Sequence, residues 1–327
     1  MGLYNKASLI VYPSGYKASK IYSLKPTDGS GDISFARSTT KTYIDANGAR
    51  QTAAINVMPV SYEGGGCGKF NFEPQRTNLL LNSDTLVTQN ITTSATSYAL
   101  SFEGTGTVTL SGTYSGSLVG AGTTPSNRVS LVFTATAGTL TLTVSGSVVF
   151  SQTEAGDYPT SYIPTGATTV TRNLDESVTT GISSVINSSE GVFYINAAAS
   201  SSIMNGRFVI SDGSSNNRVM IFYTSATNQL RIIITGGGTS ILDVTQTLAD
   251  ITVLHKVAVK WKSGDNAVWI NGVETDSNSF AAAPSGIDSL HFKRSNVSTS
   301  YFYGEFQALA VYPSILTDSQ LTELTTL

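Results

Sequence analysis

The sequence predicts an all-β protein that is built from more than one module. Thr or Ser alternates with Val or Leu along several short segments, and this period of two is typical of half-buried antiparallel strands. Glycines separate the segments and indicate turns. The chain has 327 residues, about two domains' worth at ~150 residues each. We therefore expect two or three β modules.

The charges divide the chain into three segments. Residues 1–76 hold nine Lys and Arg against five Asp and Glu, residues 77–175 hold two against five, and residues 176–327 hold eight against twelve. This shift predicts an N-terminal segment at 1–76, a small Ser/Thr-rich β-sandwich at 77–175 and a second, larger β module at 176–327.

The N-terminal segment alternates least regularly. Thr42-Tyr43-Ile44 leads through the turn residues 45–48 to residues 49–52, which predicts a hairpin. Gly64-Gly65-Gly66 then interrupts the chain before Cys67. An irregular, mildly basic segment of this kind favours a docking or wrapping arm over an independent core.

The middle segment carries short, evenly spaced strand patterns, which predict a small β-sandwich. The predicted strands are Thr107–Leu110, Val129–Phe133, Thr139–Val144 and Val148–Phe150.

The last segment predicts longer strands and one helix. Its predicted strands are Gly191–Ala197, Phe208–Ser211, Arg218–Thr224, Gln229–Thr235, Ser240–Thr245, Lys256–Lys262, Ala267–Ile270, Val273–Asp276, Leu290–Lys293 and Gly304–Tyr312. Asn271-Gly272 between two apolar runs predicts a tight hairpin. Thr317 and Gln320 have the spacing of a capping box, so a short terminal helix should follow Thr317. We expect hardly any other helix.

The composition excludes several kinds of chemistry. Only 13% of the residues are charged, which argues against a nucleic-acid binder. One cysteine excludes an internal disulfide or a Cys-based zinc cluster, and two histidines leave few candidates for His-based catalysis. No apolar run approaches the ~18 residues of a membrane span, and the start does not resemble a signal peptide. Three Asn-x-Ser/Thr sequences, one of them at 296–298, are expected by chance in so hydroxyl-rich a chain. We expect no cofactor and no membrane insertion.

Two groups of segments then resemble known families. The first group resembles a module of tailed-bacteriophage virion proteins, which are usually described as tail fibres, head fibres or carbohydrate-binding structural proteins. It comprises Phe35–Thr40, Thr42–Gly48, Gln51–Ala54 and Phe72–Ser83, and it closes with Gln152–Glu154, Gly156, Thr160–Thr165 and Val170–Arg172. The resemblance covers about half of the chain and implies a structural component of a virion.

The second group resembles the concanavalin A-like, laminin G-type jelly roll. It comprises Lys256–Trp261, Val268–Val273 and Gly304–Tyr312, followed by Leu316, Thr317 and the capped helix. The resemblance implies two stacked antiparallel sheets that bind glycans or proteins, although some relatives are glycoside hydrolases.

Aromatic side chains are the candidates for glycan binding. Trp269 points away from Val268 and Ile270, so its ring is either exposed for sugar stacking or covered by a packed neighbour. Trp261 alternates with apolar residues, so we expect it in the core. Tyr223 and Tyr301 are the further glycan-binding candidates, and packing is the competing explanation for each.

Carboxylates offer no clear catalytic pattern. A glycosidase needs two carboxylates roughly 5–9 Å apart across a groove. Here the acidic residues are scattered, and Glu274 and Asp276 share one face of a predicted edge strand. We therefore expect no catalytic residues and no enzymatic activity. Asp212 and Asp265, each near asparagines, are the candidates for a Ca²⁺ site.

These patterns lead to one main hypothesis and two alternatives. The protein would be a structural component of a bacteriophage head or tail fibre, assembled in the host cytoplasm and displayed on the virion surface. Its partners would be other virion proteins, copies of itself in a homo-oligomer such as a trimer, and a host cell-surface glycan. Alternatively, it is a decoration or assembly protein that contacts only other virion proteins. A polysaccharide depolymerase is the third hypothesis.

Overall fold

In the computed structural model, residues 2–294 and 299–327 are described, and the Asn-x-Ser sequence at 296–298 lies outside them. The chain forms two compact units, each assembled from separate stretches. The first unit comprises residues 1–36, 68–73 and 175–327, and the second comprises residues 37–67 and 74–174.

Nearly all regular elements are strands, which confirms the all-β class. Up to residue 174 the elements are α1 (Leu3–Lys6), β1 (Leu9–Val11), β2 (Tyr16–Lys17), β3 (Lys20–Ile21), β4 (Phe35–Ala36), β5 (Lys41–Ile44), β6 (Arg50–Ala53), β7 (Val60–Ser61), β8 (Lys69–Phe72), β9 (Arg76–Asn78), β10 (Gln89–Thr93), β11 (Ser97–Gly104), β12 (Thr107–Gly112), β13 (Gly116–Val119), β14 (Val129–Thr134), β15 (Gly138–Ser145), β16 (Val148–Ala155) and β17 (Val170–Arg172). The remaining elements are β18 (Glu176–Thr180), β19 (Glu190–Ala199), β20 (Gly206–Ser211), β21 (Arg218–Tyr223), β22 (Gln229–Gly236), β23 (Thr239–Thr247), β24 (His255–Lys262), β25 (Asn266–Ile270), β26 (Val273–Asn278), β27 (Ser289–His291), β28 (Gly304–Tyr312) and α2 (Asp318–Thr325). Short 3-10 turns occur at Pro13–Gly15, Pro125–Asn127 and Ser183–Val185.

The first unit is a sandwich of two antiparallel sheets. One sheet has the strand order β26-β25-β24-β19-β28-β8, and β1 pairs with the same edge of β28 as β8 does. The other has the order β23-β22-β21-β20-β27-β18-β4. Phe208 of β20 and Phe306 of β28 meet between the sheets with ring centroids 6.1 Å apart, and both side chains are buried. The core of this unit therefore lies between the two sheets.

Local signals for turns and caps are confirmed in this unit. Asn271 and Gly272 adopt φ angles of 51° and 85° and join β25 to β26 in a hairpin. Thr317 caps α2, because its Oγ1 accepts a hydrogen bond from the Gln320 backbone N–H while the Thr317 N–H donates to Gln320 Oε1. Both signals depend only on neighbouring residues, which is why the sequence reveals them.

The N-terminal segment supplies strands to the first unit. Leu9–Val11 pairs with β28, and so does Lys69–Phe72, while Phe35–Ala36 pairs with β18. The division of the chain at residues 76 and 175 stays a prediction about independently folding modules. In the structure, the sheets of the C-terminal module are completed by strands from residues 1–76.

The second unit contains a smaller two-sheet arrangement. One sheet has the order β10-β15-β12-β13 and the other the order β14-β11-β16. Apolar side chains from both sheets share one core, among them Leu100, Phe102, Val108, Leu110 and Leu142. The predicted hairpin at residues 42–52 is present as β5 and β6, and Val170–Arg172 pairs with Arg76–Asn78. In residues 2–294 and 299–327, no helix combines the length and the hydrophobicity needed to cross a membrane.

Candidate functional site

Trp269 is buried and presents no stacking face to solvent. Only 2% of its surface is exposed, and it packs in an apolar cluster on the outer face of the β24–β28 sheet. Val268 and Ile270 point the opposite way, into the sandwich, as the alternation along the strand predicts. The structure thus corresponds to the second of the two expectations for Trp269, a ring covered by a packed neighbour.

Both ends of the first unit provide the cover over Trp269. Ala7, Ile10 and Leu24 reach this cluster from the N-terminal stretch, and Leu316 and Leu321 reach it from the C-terminal stretch. The Lys6 ammonium also donates to Gln320 Oε1 at 2.9 Å, which links α1 to α2. The outer face of this sheet is therefore closed to a ligand at Trp269.

Tyr223 is also buried, on the inner face of the other sheet. Its surface is 1% exposed, its ring centroid lies 5.6 Å from that of Phe302, and its hydroxyl donates to the Ala197 carbonyl at 3.4 Å. Burial raises the pKa of Tyr223 above its ordinary value. Tyr223 therefore belongs to the core between the sheets, and Trp261, which is fully buried, does so as well.

Tyr301 keeps part of its surface exposed. Its ring stacks on Tyr303 with centroids 6.2 Å apart, and the Lys293 ammonium lies 5.5 Å from the Tyr301 centroid. Lys293 also forms an ion pair with Glu176. Of the three aromatic candidates, Tyr301 is the one that can contact a ligand from solvent.

The two candidate calcium ligands make other contacts. Asp212 accepts hydrogen bonds from the Ser214 N–H, the Ser214 hydroxyl and the Asn217 amide. Burial alone would raise the pKa of Asp212, but these hydrogen bonds outweigh it and lower the pKa. Asp265 forms an ion pair with the Lys260 ammonium at 2.6 Å. Among the described residues, no three acidic, His or Cys side chains form a group that could hold a metal ion.

The outer face of the β20–β23 sheet presents a group of arginines. Its strand register aligns Arg207, Phe222, Arg231 and Thr245 in one row across the four strands. Directly opposite residues on neighbouring antiparallel strands project from the same face of a sheet. Arg218 lies on the same face, four residues before Phe222 on β21. The charge of Arg294 acts on both Arg207 and Arg218, so Arg294 lies near them. We call the surface formed by Arg207, Arg218, Phe222, Arg231 and Arg294 the basic face.

A small apolar patch underlies the basic face. Val209, Met220 and Ile233 form the next row of the register and are buried, with Phe222 packed against them. The guanidinium carbon of Arg207 lies 4.1 Å from the centroid of the Phe222 ring. The arginine side chains thus extend over apolar residues, which holds their charged ends in place.

The positive charges of the basic face are poorly compensated. Arg231 forms two hydrogen bonds to Asp243, Nε to Oδ1 at 2.7 Å and Nη2 to Oδ2 at 2.5 Å. In residues 2–294 and 299–327, no carboxylate forms an ion pair with Arg207, Arg218 or Arg294. Burial, followed by the charges of neighbouring arginines, lowers the pKa of Arg207 to about 10 and also lowers the pKa of Arg218. The Nε atoms of Arg207 and Arg218 are buried without a hydrogen-bond partner in the described part of the chain.

Tyr301 lies at the edge of the basic face. His291 of β27 pairs with Val209 of β20, so the two side chains project from the same face of the sheet. Burial, followed by the nearby Lys293 charge, lowers the pKa of His291. The same Lys293 ammonium contacts Tyr301. The site therefore combines guanidinium donors with the partly exposed aromatic rings of Phe222 and Tyr301.

The arginines of this site are not among the residues predicted from the sequence. A signal was present, because Arg207, Arg218, Arg231 and Arg294 are all the arginines of residues 176–327, a segment that is acidic in total. Each of the first three alternates with core residues along its strand. The pattern within one strand does not show which strands are its neighbours in the sheet. The sequence therefore did not predict that the arginines lie close together.

The carboxylates considered for catalysis do not gather at this site. Glu274 and Asp276 lie on β26, the edge strand of the other sheet, where Glu274 is exposed and Asp276 is partly exposed. Asp243, the carboxylate at the basic face, is bound to Arg231.

Comparison with known proteins bears on the fold of the first unit. Residues 193–322 match the family model of the concanavalin A-like lectin/glucanases superfamily. A search of the curated proteins gives no match.

Similar solved structures include domains of three bacterial proteins. The CBM40 domain of the Ruminococcus gnavus IT-sialidase, bound to α2,3-sialyllactose, is 17% identical, with a TM-score of 0.37 over 45% of this chain and 87% of that chain. Domain 4 of AbnA, an extracellular arabinanase from Geobacillus stearothermophilus, in complex with arabinotriose, is 17% identical, with a TM-score of 0.38 over 47% of this chain and 73% of that chain. The binding domain of botulinum neurotoxin DC, in complex with rat synaptotagmin II, is 15% identical, with a TM-score of 0.36 over 46% of this chain and 40% of that chain.

The family match covers most of β19, the strands β20–β28 of the two-sheet sandwich and the first residues of its terminal helix. The C-terminal residues of the chain therefore form a concanavalin A-like jelly-roll domain of the laminin G type.

Proposed function

We propose that this protein is a non-enzymatic structural component of a bacteriophage particle, a head or tail fibre, whose jelly roll binds a glycan of the host surface. The carbohydrate-binding part of the proposal is supported by one observation above all. The outer face of the β20–β23 sheet combines guanidinium donors with the partly exposed ring of Tyr301, whereas chain segments cover the outer face of the other sheet at Trp269.

The chemistry of this face suits a saccharide. Arginine offers several N–H donors in a fixed fork, and sugars offer hydroxyl and ring oxygens as acceptors. The Tyr301 ring can pack against the apolar face of a pyranose. Individual sugar sites are weak, so adsorption in this proposal depends on several copies of the chain acting together, as a homo-oligomeric fibre would allow.

The virion part of the proposal comes from the resemblance of residues 35–83 and 152–172 to tailed-bacteriophage virion proteins. In that role the protein would be assembled in the host cytoplasm, contact other virion proteins and stand at the virion surface. If it were instead a decoration protein that contacts only virion proteins, the jelly roll would bind no sugar.

A glycan array tests the carbohydrate-binding function. The full chain, made multivalent on a carrier, should bind a subset of the printed glycans, and Tyr301→Ala should weaken that binding. Tyr43→Ala, a change of the same type in the second unit, serves as the control and should leave binding unchanged. Absence of binding to every glycan, acidic or neutral, would refute the function. Electron microscopy of the assembled particle tests the virion role separately.

A further inference from the structure

We infer that the ligand of the basic face is an acidic saccharide, one that carries a carboxylate or a sulfate, and that Arg207, Arg218 and Arg294 bind its anionic group. This inference rests on the proposed glycan-binding function and adds the class of sugar to it.

The arginines of residues 176–327 are gathered in one place. Residues 176–327 contain four arginines, and the charges of Arg218, Arg231 and Arg294 all act to lower the pKa of Arg207. The segment as a whole carries more Asp and Glu than Lys and Arg. A surface that served only for solubility would carry positive and negative charges side by side. Here an acidic module collects its arginines on one face.

Three of these arginines have no acidic partner among the described residues. Asp243 neutralises Arg231, and Glu176 pairs with Lys293, but no described carboxylate pairs with Arg207, Arg218 or Arg294. Gathering like charges opposes folding, and partial burial of Arg207 and Arg218 adds a desolvation cost. An anion that binds between these side chains would remove both effects.

The geometry of the guanidinium donors also suits an anionic group. A guanidinium group binds a carboxylate or a sulfate through two parallel N–H donors, which gives geometric selection as well as charge. Packing of Arg207 on the Phe222 ring orients one such fork. The neighbouring Tyr301 supplies an apolar surface for the sugar ring. Anion and ring are thus recognised by different parts of one face.

The test measures binding of the full chain to acidic polysaccharides and to their neutralised forms. Polygalacturonate and polysialic acid supply carboxylates, and their carboxyl-reduced derivatives are the neutral controls. Chondroitin sulfate and its desulfated derivative distinguish sulfate from carboxylate. We expect at least one acidic polymer to bind about 10-fold or more tightly than its neutralised form, and salt to weaken that binding.

Variants then assign the binding to the basic face. The double variant Arg207→Gln/Arg218→Gln should weaken acidic-polymer binding by about 10-fold or more. The control Lys17→Gln/Lys20→Gln changes the net charge equally on the exposed hairpin β2–β3 and should leave binding unchanged. Asp243→Asn should tighten binding, because it releases Arg231 from its carboxylate. A tighter variant cannot be explained by misfolding. Arg294→Gln, at an exposed position, keeps the test available if the double variant does not fold.

Each outcome decides the inference. Equal binding of acidic and neutralised polymers would overturn it, as would acidic binding that the arginine variants leave intact. In either case glycan binding itself would stand. If neither the polymers nor a neutral glycan array binds at all, the proposed function fails as well.

Discussion

Replacing Trp269 with alanine is expected to destabilise the first compact unit, because its side chain is part of a buried cluster. The ring is 2% exposed, packs with residues from both covering segments and lies 5.4 Å from the Lys260 ammonium. Truncating a buried Trp to Ala costs about 3–5 kcal/mol, a large share of the ~5–15 kcal/mol that holds a domain folded. At about 2–4 °C per kcal/mol for a unit of this size, the melting temperature should fall by about 6–20 °C.

Denaturant unfolding followed by fluorescence measures this loss directly. Both tryptophans lie in the first unit, so in the Trp269→Ala variant the remaining Trp261 reports the unfolding of that unit alone. Circular dichroism gives an independent signal. Trp269→Phe keeps a buried ring and should lose less stability than Trp269→Ala. Tyr301→Ala, at a partly exposed position, should lower the free energy of unfolding by about 1 kcal/mol or less.

The opposite pattern would refute the reasoning. If Trp269→Ala unfolded at the denaturant concentration of the natural chain and yet lost glycan binding, Trp269 would be a ligand contact and the covered face would have to open in solution.

Three further predictions concern caps, buried polar groups and pH. Thr317→Ala removes the side-chain acceptor for the Gln320 N–H and should cost about 1 kcal/mol, measured by the same fluorescence assay. Asn78→Ala should cost about 3 kcal/mol or more in the second unit, seen by calorimetry, because the Asn78 side chain makes four buried hydrogen bonds to backbone groups; a cost below about 1 kcal/mol would contradict this. Burial, followed by the Lys293 charge, lowers the pKa of His291, so the unfolded chain binds more protons just below the ordinary His pKa of ~6.5 and stability should fall as the pH drops through that range. His291→Asn should make the unfolding free energy of the first unit less dependent on pH below ~6.5, and an unchanged slope would show that another group titrates there.

Strands and turns of this chain were predictable because their signals are local. Alternation along β22 separates Ile232 and Ile234 from Arg231 and Ile233, and the register places these sets on opposite faces, as expected. The Asn271-Gly272 turn is equally local, since its left-handed conformations favour these residue types.

Contacts between distant stretches were not predictable. β1 pairs with β28 across most of the chain length, and Lys6 reaches Gln320, yet no pattern within residues 1–24 indicates a partner. Trp269 illustrates the consequence. Alternation showed which face its ring occupies, but only tertiary structure shows that this face is covered.

The assembly of the jelly roll from three stretches limits how the domain can be exchanged between proteins. A chimera joined at a single point near residue 175 would import β18–β28 without β1, β4 and β8. It would lack Ile10, Phe70 and Phe72, all of which are buried. Such a cassette would have one additional open strand edge in each sheet and would be prone to aggregate. Point substitutions on the outer face of strands β20–β23 would leave these strand pairings intact, so they are the physically simpler way to alter what the domain binds.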